Sequence, residues 1–282
     1  MNSCSIKLSA FADEVSDVLQ EQISFLRREN LRFIELRLVD GANVVHLALD
    51  QIRQVKQVLV DNGIRLSALG SPIGKVRLDE PFDEHFEFFK RAVEIAQELE
   101  TRFIRVFSYY PPEGKEIDSC RNEVLDRMAA KLEWISQTDL VLAHENESGI
   151  YGHKAANCRD LAESLGSDQF KLVFDPANFV WGEKITDCMD SCWPAMEPYV
   201  AHIHVKDWSL GGTLGRLPGE GDGQIPQLLN KLKEIGYSGF LTLEPHLAVG
   251  GQFGGHTGPE PFSQAVSTLR SLMQNAGLNE GH

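Results

Sequence analysis

The sequence has no apolar run that approaches the roughly 20 residues a membrane-spanning helix needs, so a transmembrane protein is not expected. Its first residues, Met1-Asn2-Ser3-Cys4-Ser5-Ile6-Lys7, lack the apolar centre of a secretory signal. Positive charge is scarce as well: Lys+Arg 27 against Asp+Glu 41 leaves a net charge of -14. A surface that negative repels phosphate backbones and anionic bilayers, which argues against a general nucleic-acid partner and against membrane docking. The five cysteines (Cys4, Cys120, Cys158, Cys188 and Cys192) are odd in number and mostly far apart. They read as free thiols of a reducing compartment, and the expected location is the cytoplasm. Cys188 and Cys192 alone share one helix face, where a metal pair or, more plainly, two idle buried thiols would fit. No GxGxxG or GxxxxGK[ST] follows the first apolar run, so an open nucleotide-binding sheet lacks its usual signature. No Pro/Ser-rich linker or long charge run divides the 282 residues, and residues 1–282 read as one domain.

What the chain does contain is a repeated strand-then-helix unit. Short β-rich runs recur at Ile6–Phe11, Phe33–Leu38, Ile64–Leu69, Phe103–Ser108, Leu140–His144, Lys171–Asp175, Ala201–Val205 and Phe240–Leu243. Between them apolar residues return at helical spacing: Val15, Leu19, Ile23 and Leu26; Ile52, Val55 and Leu59; Phe86, Phe89, Val93 and Ala96. The same holds for Val124, Met128, Leu132 and Ile135, and for Ile225, Leu228, Leu232 and Ile235. Asn62-Gly63, Gly236 and Gly277 mark helix ends, and Ser16-Asp17 a helix start. Eight strands alternating with helices close most simply into a single (β/α)8 TIM barrel of the α/β class.

In such a barrel the reactive residues stand at the carboxyl ends of the strands. The last four runs each end in a group able to ligate a metal: Glu145, Asp175, His204 and Glu244. Any one of them is easily a solvated acid or a satisfied histidine, but four at successive strand ends form a pattern. Three carboxylates and an imidazole around one axis would hold one divalent cation, Mn²⁺ or Mg²⁺ first on hardness, with Co²⁺ and Zn²⁺ as alternatives. Without a cation, like charges that close would repel strongly in a low-dielectric mouth.

The strings LVLAHENE (140–147), LVFDPANF (172–179), VAHIHVKD (200–207) and GFLTLEPH (239–246) resemble the xylose-isomerase-like barrel superfamily, and specifically its sugar phosphate isomerase/epimerase members, the apurinic-site endonuclease family 2 group. FADEV (11–15), GSPIGK (70–75) and LPGEGDG (217–223) extend the likeness over nearly the whole chain. The resemblance implies a divalent metal on Glu145, Asp175, His204 and Glu244. It also implies acid/base roles for Glu145 and Glu244 on opposite faces of a small-molecule sugar or sugar derivative. The implied reaction is isomerisation or epimerisation of a sugar or sugar phosphate: a proton leaves the carbon next to a carbonyl, an enediolate is stabilised by the cation, and the proton returns elsewhere.

The sequence also departs from those relatives. Asn178 stands three residues after Asp175, where the sugar epimerases tend to place a His, and no Arg follows His204 in Val205-Lys206-Asp207-Trp208. The missing His and the acidic charge argue against abasic-site cleavage. His144, just before Glu145, faces the helix layer if the strand stays regular, yet as an unligated imidazole it would be the better catalytic base. Its HEN context is similar to the barrel subunits of bacterial C-glycoside deglycosidases, which implies a keto-sugar or keto-inositol lyase/dehydratase as the alternative function.

Lys75, Asn178, Lys206, Asp207 and His246 are the candidate substrate contacts, each with a plain structural role as its rival. Trp181, Trp208, Phe107 and Tyr109 fall at strand ends where they would stack on a sugar or simply pack. The glycine-rich stretch 250–259 reads as a mobile lid or a subunit contact, and a homo-oligomer, dimer or tetramer, is expected. A noncatalytic sugar-acid-binding barrel is the third reading, and the complete ligand set speaks against it.

Overall fold

The computed structural model describes residues 5–249 and 255–281. Eight parallel strands form the barrel: β1 (Ser5–Ala10), β2 (Phe33–Leu36), β3 (Arg65–Leu69), β4 (Phe103–Val106), β5 (Val141–Glu145), β6 (Phe170–Phe174), β7 (Val200–Val205) and β8 (Phe240–Leu243). Each pairs with its sequence neighbour, and β8 returns to β1 with Leu8 opposite Leu241 and Ala10 opposite Leu243. The cylinder is therefore closed. A short segment, Asn279–Gly281, adds parallel to the start of β1 below that closure.

All eight predicted strands are present, with shifts at their ends. β2 stops at Leu36 because the chain then turns into a small hairpin, Leu38–Val39 against Ala42–Asn43. β4 stops at Val106 because the Phe107, Tyr109 and Tyr110 amides turn away to Ile73, Gly74 and Val76 in the loop after β3.

The outer layer comprises α1 (Leu19–Arg28), α2 (Leu49–Asp61), α3 (Phe82–Glu98), α4 (Arg121–Ile135), α5 (Ala155–Leu165), α6 (Ile225–Glu234) and α7 (Pro259–Ala276). After β6 the single helix is replaced by short turns, Cys188–Ser191 and Trp193–Met196, with the Trp193 ring edge-on to Phe174 at 5.1 Å. The predicted apolar stripes face the strands: Ile23 and Leu26, Ile52 and Leu59, Phe89 and Val93, Met128 and Ile135, Leu228 and Leu232 are all buried. Each such side chain contributes about 2 kcal/mol by leaving water. Ile235 is the exception, 44% exposed, because α6 has already ended at Glu234. Gly63 and Gly277 close α2 and α7 at φ +66° and +70°, a conformation that suits glycine.

Cys188 opens the short helix Cys188–Ser191 and Cys192 follows its end; both are buried, and neither joins a metal-capable group among the described residues. No helix of the described residues is long and apolar enough to cross a membrane. The predicted lid falls partly on residues 250–254, outside the described residues. Its flanks, Val249 and His256, form an antiparallel bridge.

Candidate metal centre and active site

Strand alternation decides what enters the barrel. On β7 the inward set is His202 and His204, continued by Lys206; on β8 it is Thr242, continued by Glu244; on β2 it is Glu35, continued by Arg37. Contacts between strands that are not neighbours confirm the direction, since Glu35 of β2 reaches both His202 and His204 of β7 across the interior. Arg37, just past β2, likewise reaches Glu244 past the end of β8, while Arg105 of β4 contacts Glu145 of the neighbouring β5 on the same inward face.

Glu145, Asp175, His204 and Glu244 are all buried, and each offers one donor atom such that the four lie within 4.8 Å of one another. Ligands about 2.1 Å from one ion stand at most about 4.2 Å apart, so a contraction of a few tenths of an ångström suffices. The atoms that converge can be named. Glu145 Oε1 lies 3.1 Å from His204 Nδ1, and Glu244 Oε2 lies 3.9 Å from it. Arginines hold the other carboxylate oxygens from outside: Arg105 donates to Glu145 Oε2 at 3.2 Å, and Arg37 to Glu244 Oε1 at 2.8 Å. Asp175 accepts the Asn178 amide on Oδ1 and turns Oδ2 inward, where Lys206 Nζ lies 2.7 Å away.

His204 is oriented by its far nitrogen, as metal-ligating histidines are. Nε2 lies 3.2 Å from Glu35 Oε2 and Nδ1 3.1 Å from Glu145 Oε1. Burial opposes the charged imidazole, but these two carboxylates outweigh it and raise the group to about 10; a bound cation would take Nδ1 in place of its proton. Glu35 is itself held by His202 Nε2 at 2.9 Å, and His202 in turn contacts Thr242 Oγ1 at 2.8 Å.

Electrostatics fit a cation. Burial pushes the Glu145 carboxyl up, but His204 and Arg105 outweigh it and hold it at about 2. Burial likewise opposes ionisation of Glu244, and Lys206, His246 and Arg37 override it to keep the group well below the usual carboxylate range. Asp175 goes the other way, up to about 7: burial dominates, Lys206 opposes it, and the charges of Glu145 and Glu244 add to it. His204 Nδ1 and Asp175 Oδ2 are also buried without an aligned hydrogen bond. A buried imidazole nitrogen and three buried carboxylate oxygens that converge on one point suit a bound divalent ion.

The other predicted residues divide between the cluster and its surroundings. Asn178 joins the cluster, donating to Glu145 Oε1 at 3.2 Å and to the Asn146 carbonyl at 2.8 Å. Lys206 joins it, 3.2 Å from Glu244 Oε2 as well. His246, at φ +51°, brings Nε2 to 3.3 Å from Glu244 Oε1 and 3.4 Å from Glu14 Oε1. Lys75 stands at the rim, paired with Glu147 at 2.9 Å and 4.3 Å above the Phe107 ring.

Asp207 faces away from the cluster. Its carboxylate accepts the amides of Trp208, Gly219, Gly221 and Gly223 at 2.8–3.0 Å and so shapes the 217–223 loop. His144 also lies apart, on the outward face of β5, as regular alternation requires. A Cβ on Gly152 would come within 2.2 Å of its Cε1, Phe170 lies 6.0 Å from the ring, and burial lowers the imidazole to about 4. Tyr109 is buried beside His85, under α3 and α4, and the Trp208 indole donates to the Gly212 carbonyl.

Sequence reading passed over Glu14, Glu35, Arg37 and Arg105. The signal was present: FIELR and FIRVF put charged residues at inward positions of otherwise apolar strands. Glu14 lies on a turn of 3-10 helix after β1, where Oε2 accepts the His246 amide at 2.9 Å and the Thr257 hydroxyl at 2.5 Å. Its own carboxyl is raised to about 7, chiefly by burial.

Solved structures share this architecture at low identity. A D-tagatose 3-epimerase-like protein superposes with a TM-score of 0.78 at 14% identity, covering 96% of this chain and 98% of its own. A xylose isomerase-like TIM barrel protein from Mycobacterium smegmatis, in complex with magnesium, gives 0.75 at 14%, covering 98% and 99%. A probable 3-DHS dehydratase from Bacillus anthracis gives 0.73 at 14%, covering 94% and 98%. No curated protein matches the sequence. The family model for the xylose isomerase-like TIM barrel matches residues 23–272, most of the chain. The chain belongs to the xylose isomerase-like TIM barrel family.

Proposed function

We propose that the protein is a divalent-metal-dependent isomerase or epimerase of a small keto sugar or sugar derivative, with Glu145, Asp175, His204 and Glu244 as the metal ligands. One observation carries this: four buried donor atoms from four successive strand ends lie within 4.8 Å of one another at the carboxyl mouth of the barrel. The cation, Mn²⁺ or Mg²⁺ on the hardness of three oxygen donors, supplies the charge that acidifies a C–H beside the substrate carbonyl.

The chain's own groups handle the rest. Glu145 and Glu244 both approach His204 Nδ1, at 3.1 and 3.9 Å, with their charges held from behind by Arg105 and Arg37. The one that is ionised would remove the proton; epimerisation would require the other to enter protonated and deliver its own proton to the opposite face, whereas isomerisation would have the first carboxylate hand the proton it took to the neighbouring carbon. Asn178 and Arg105 steady Glu145, and His246 and Arg37 steady Glu244, so neither carboxylate needs to reorganise during transfer. Proteins of similar fold support this chemistry, since they include a D-tagatose 3-epimerase-like protein and a probable dehydratase.

The test is proton exchange. Keto sugars incubated with enzyme and Mn²⁺ in D₂O should take up deuterium at the carbon beside the carbonyl and appear as a rearranged sugar by NMR. Exchange with loss of water or an aglycone makes the enzyme a lyase. No exchange over a broad panel of keto sugars overturns the catalytic reading.

A further inference from the structure

Lys206 follows His204 by two residues on the same inward face. Its ammonium reaches neither solvent nor the rim. It sits 2.7 Å from Asp175 Oδ2 and 3.2 Å from Glu244 Oε2, with only 7% of the residue exposed. These are the two carboxylate oxygens that face the donor cluster. The opposite oxygens are engaged elsewhere, Asp175 Oδ1 by the Asn178 amide and Glu244 Oε1 by Arg37. The two arginines reach the carboxylates from the barrel wall and leave the inward atoms free. Lys206 alone among these cations takes the inward atoms themselves.

We infer that Lys206 is the resident counter-cation of the metal-free protein: its ammonium holds the place of the divalent ion and must withdraw when that ion enters. This rests on the reading of the four residues as a metal centre. The physical case is one of charge and space. Three buried carboxylates need positive charge in every state of the molecule, or the mouth would spring open. An ammonium on a flexible four-carbon stem meets that need without fixed geometry, and it can leave by rotating its stem. A guanidinium, planar and forked, would bind the two carboxylates more rigidly. The arrangement keeps the ligands gathered before the metal arrives, at the cost of competing with it.

The experiment compares wild type with Lys206→Met after chelator stripping, by calorimetric titration with Mn²⁺ and by thermal melting with and without Mn²⁺. The variant should bind Mn²⁺ at least tenfold more tightly. Its metal-free form should melt below metal-free wild type, and Mn²⁺ should raise its melting temperature by more. Lys206→Gln, which retains polarity without charge, should show the same direction and covers the case in which the methionine variant fails to fold. Equal or weaker Mn²⁺ affinity in both variants, with wild-type binding intact, overturns the inference and leaves the metal centre standing. Absence of binding by wild type overturns both.

Discussion

His204 Nε2 lies 3.2 Å from Glu35 Oε2, a contact that joins opposite walls of the barrel across 169 residues of sequence. It holds the ring so that Nδ1 faces the carboxylates of Glu145 and Glu244. Glu35→Gln replaces a charged acceptor by a neutral one, loosens the ring and lowers its basicity. Mn²⁺ affinity should fall by about 10- to 100-fold, measured by titration of the stripped protein, while the far-ultraviolet circular dichroism stays unchanged.

Glu145 and His144 are adjacent but face opposite ways, one into the barrel and one under Gly152. Glu145→Gln or Glu244→Gln should reduce kcat by about 10²- to 10⁴-fold on whichever keto sugar shows exchange. His144→Phe, which keeps a ring against Phe170, should change kcat by less than about tenfold. A collapse of turnover in the His144 variant with stability preserved would return that residue to the chemistry.

Asp207 earns its burial by gathering four amides, and it supports a loop rather than a substrate. Asp207→Ala strands those donors and should cost about 2–4 kcal/mol in chemical denaturation, with Asp207→Asn intermediate. A variant as stable as wild type would contradict the loop-anchoring role.

His85 supplies a pH test away from the site. It is buried, its Nε2 accepts the Gly74 amide at 3.0 Å, and burial, aided by Lys131 and Arg127, lowers it from 6.5 to about 3. A folded-state pKa below the unfolded one means that the unfolded chain binds more protons between those values, so stability falls as pH drops through 6.5 toward 3. Wild type should lose about 3 kcal/mol from this group between pH 7.5 and 4.5. His85→Gln can still accept the amide but does not titrate, so it should lack that component of the loss. The comparison is made by urea denaturation at the two pH values.

Much of this was legible in the sequence, and for physical reasons. Apolar runs such as KLVF and FLTL are buried on both faces and can be little else than parallel strands. Ligands that end such runs, Glu145, Asp175 and Glu244, are carried to one rim by the topology itself. His246 followed from alternation past Glu244, and Asn178 from the resemblance, as the residue that stands where sugar epimerases tend to place a His. Glu35, Arg37 and Arg105 were less visible because they lie on earlier strands, and their partners are set by barrel closure rather than by proximity in the chain. Asp207 misled because it sits beside inward residues at the carboxyl mouth. One step of alternation after Lys206 turns it to the loop amides, and only the path of residues 217–223 reveals that.

The central claim is that one cation is gripped by four side chains from successive strand ends. Anomalous diffraction from crystals soaked in Mn²⁺ tests it most directly. A single strong peak about 2.0–2.3 Å from Glu145, Asp175, His204 and Glu244 is the predicted result. A peak ligated elsewhere, or no peak at saturating Mn²⁺ with the four side chains in place, would contradict it.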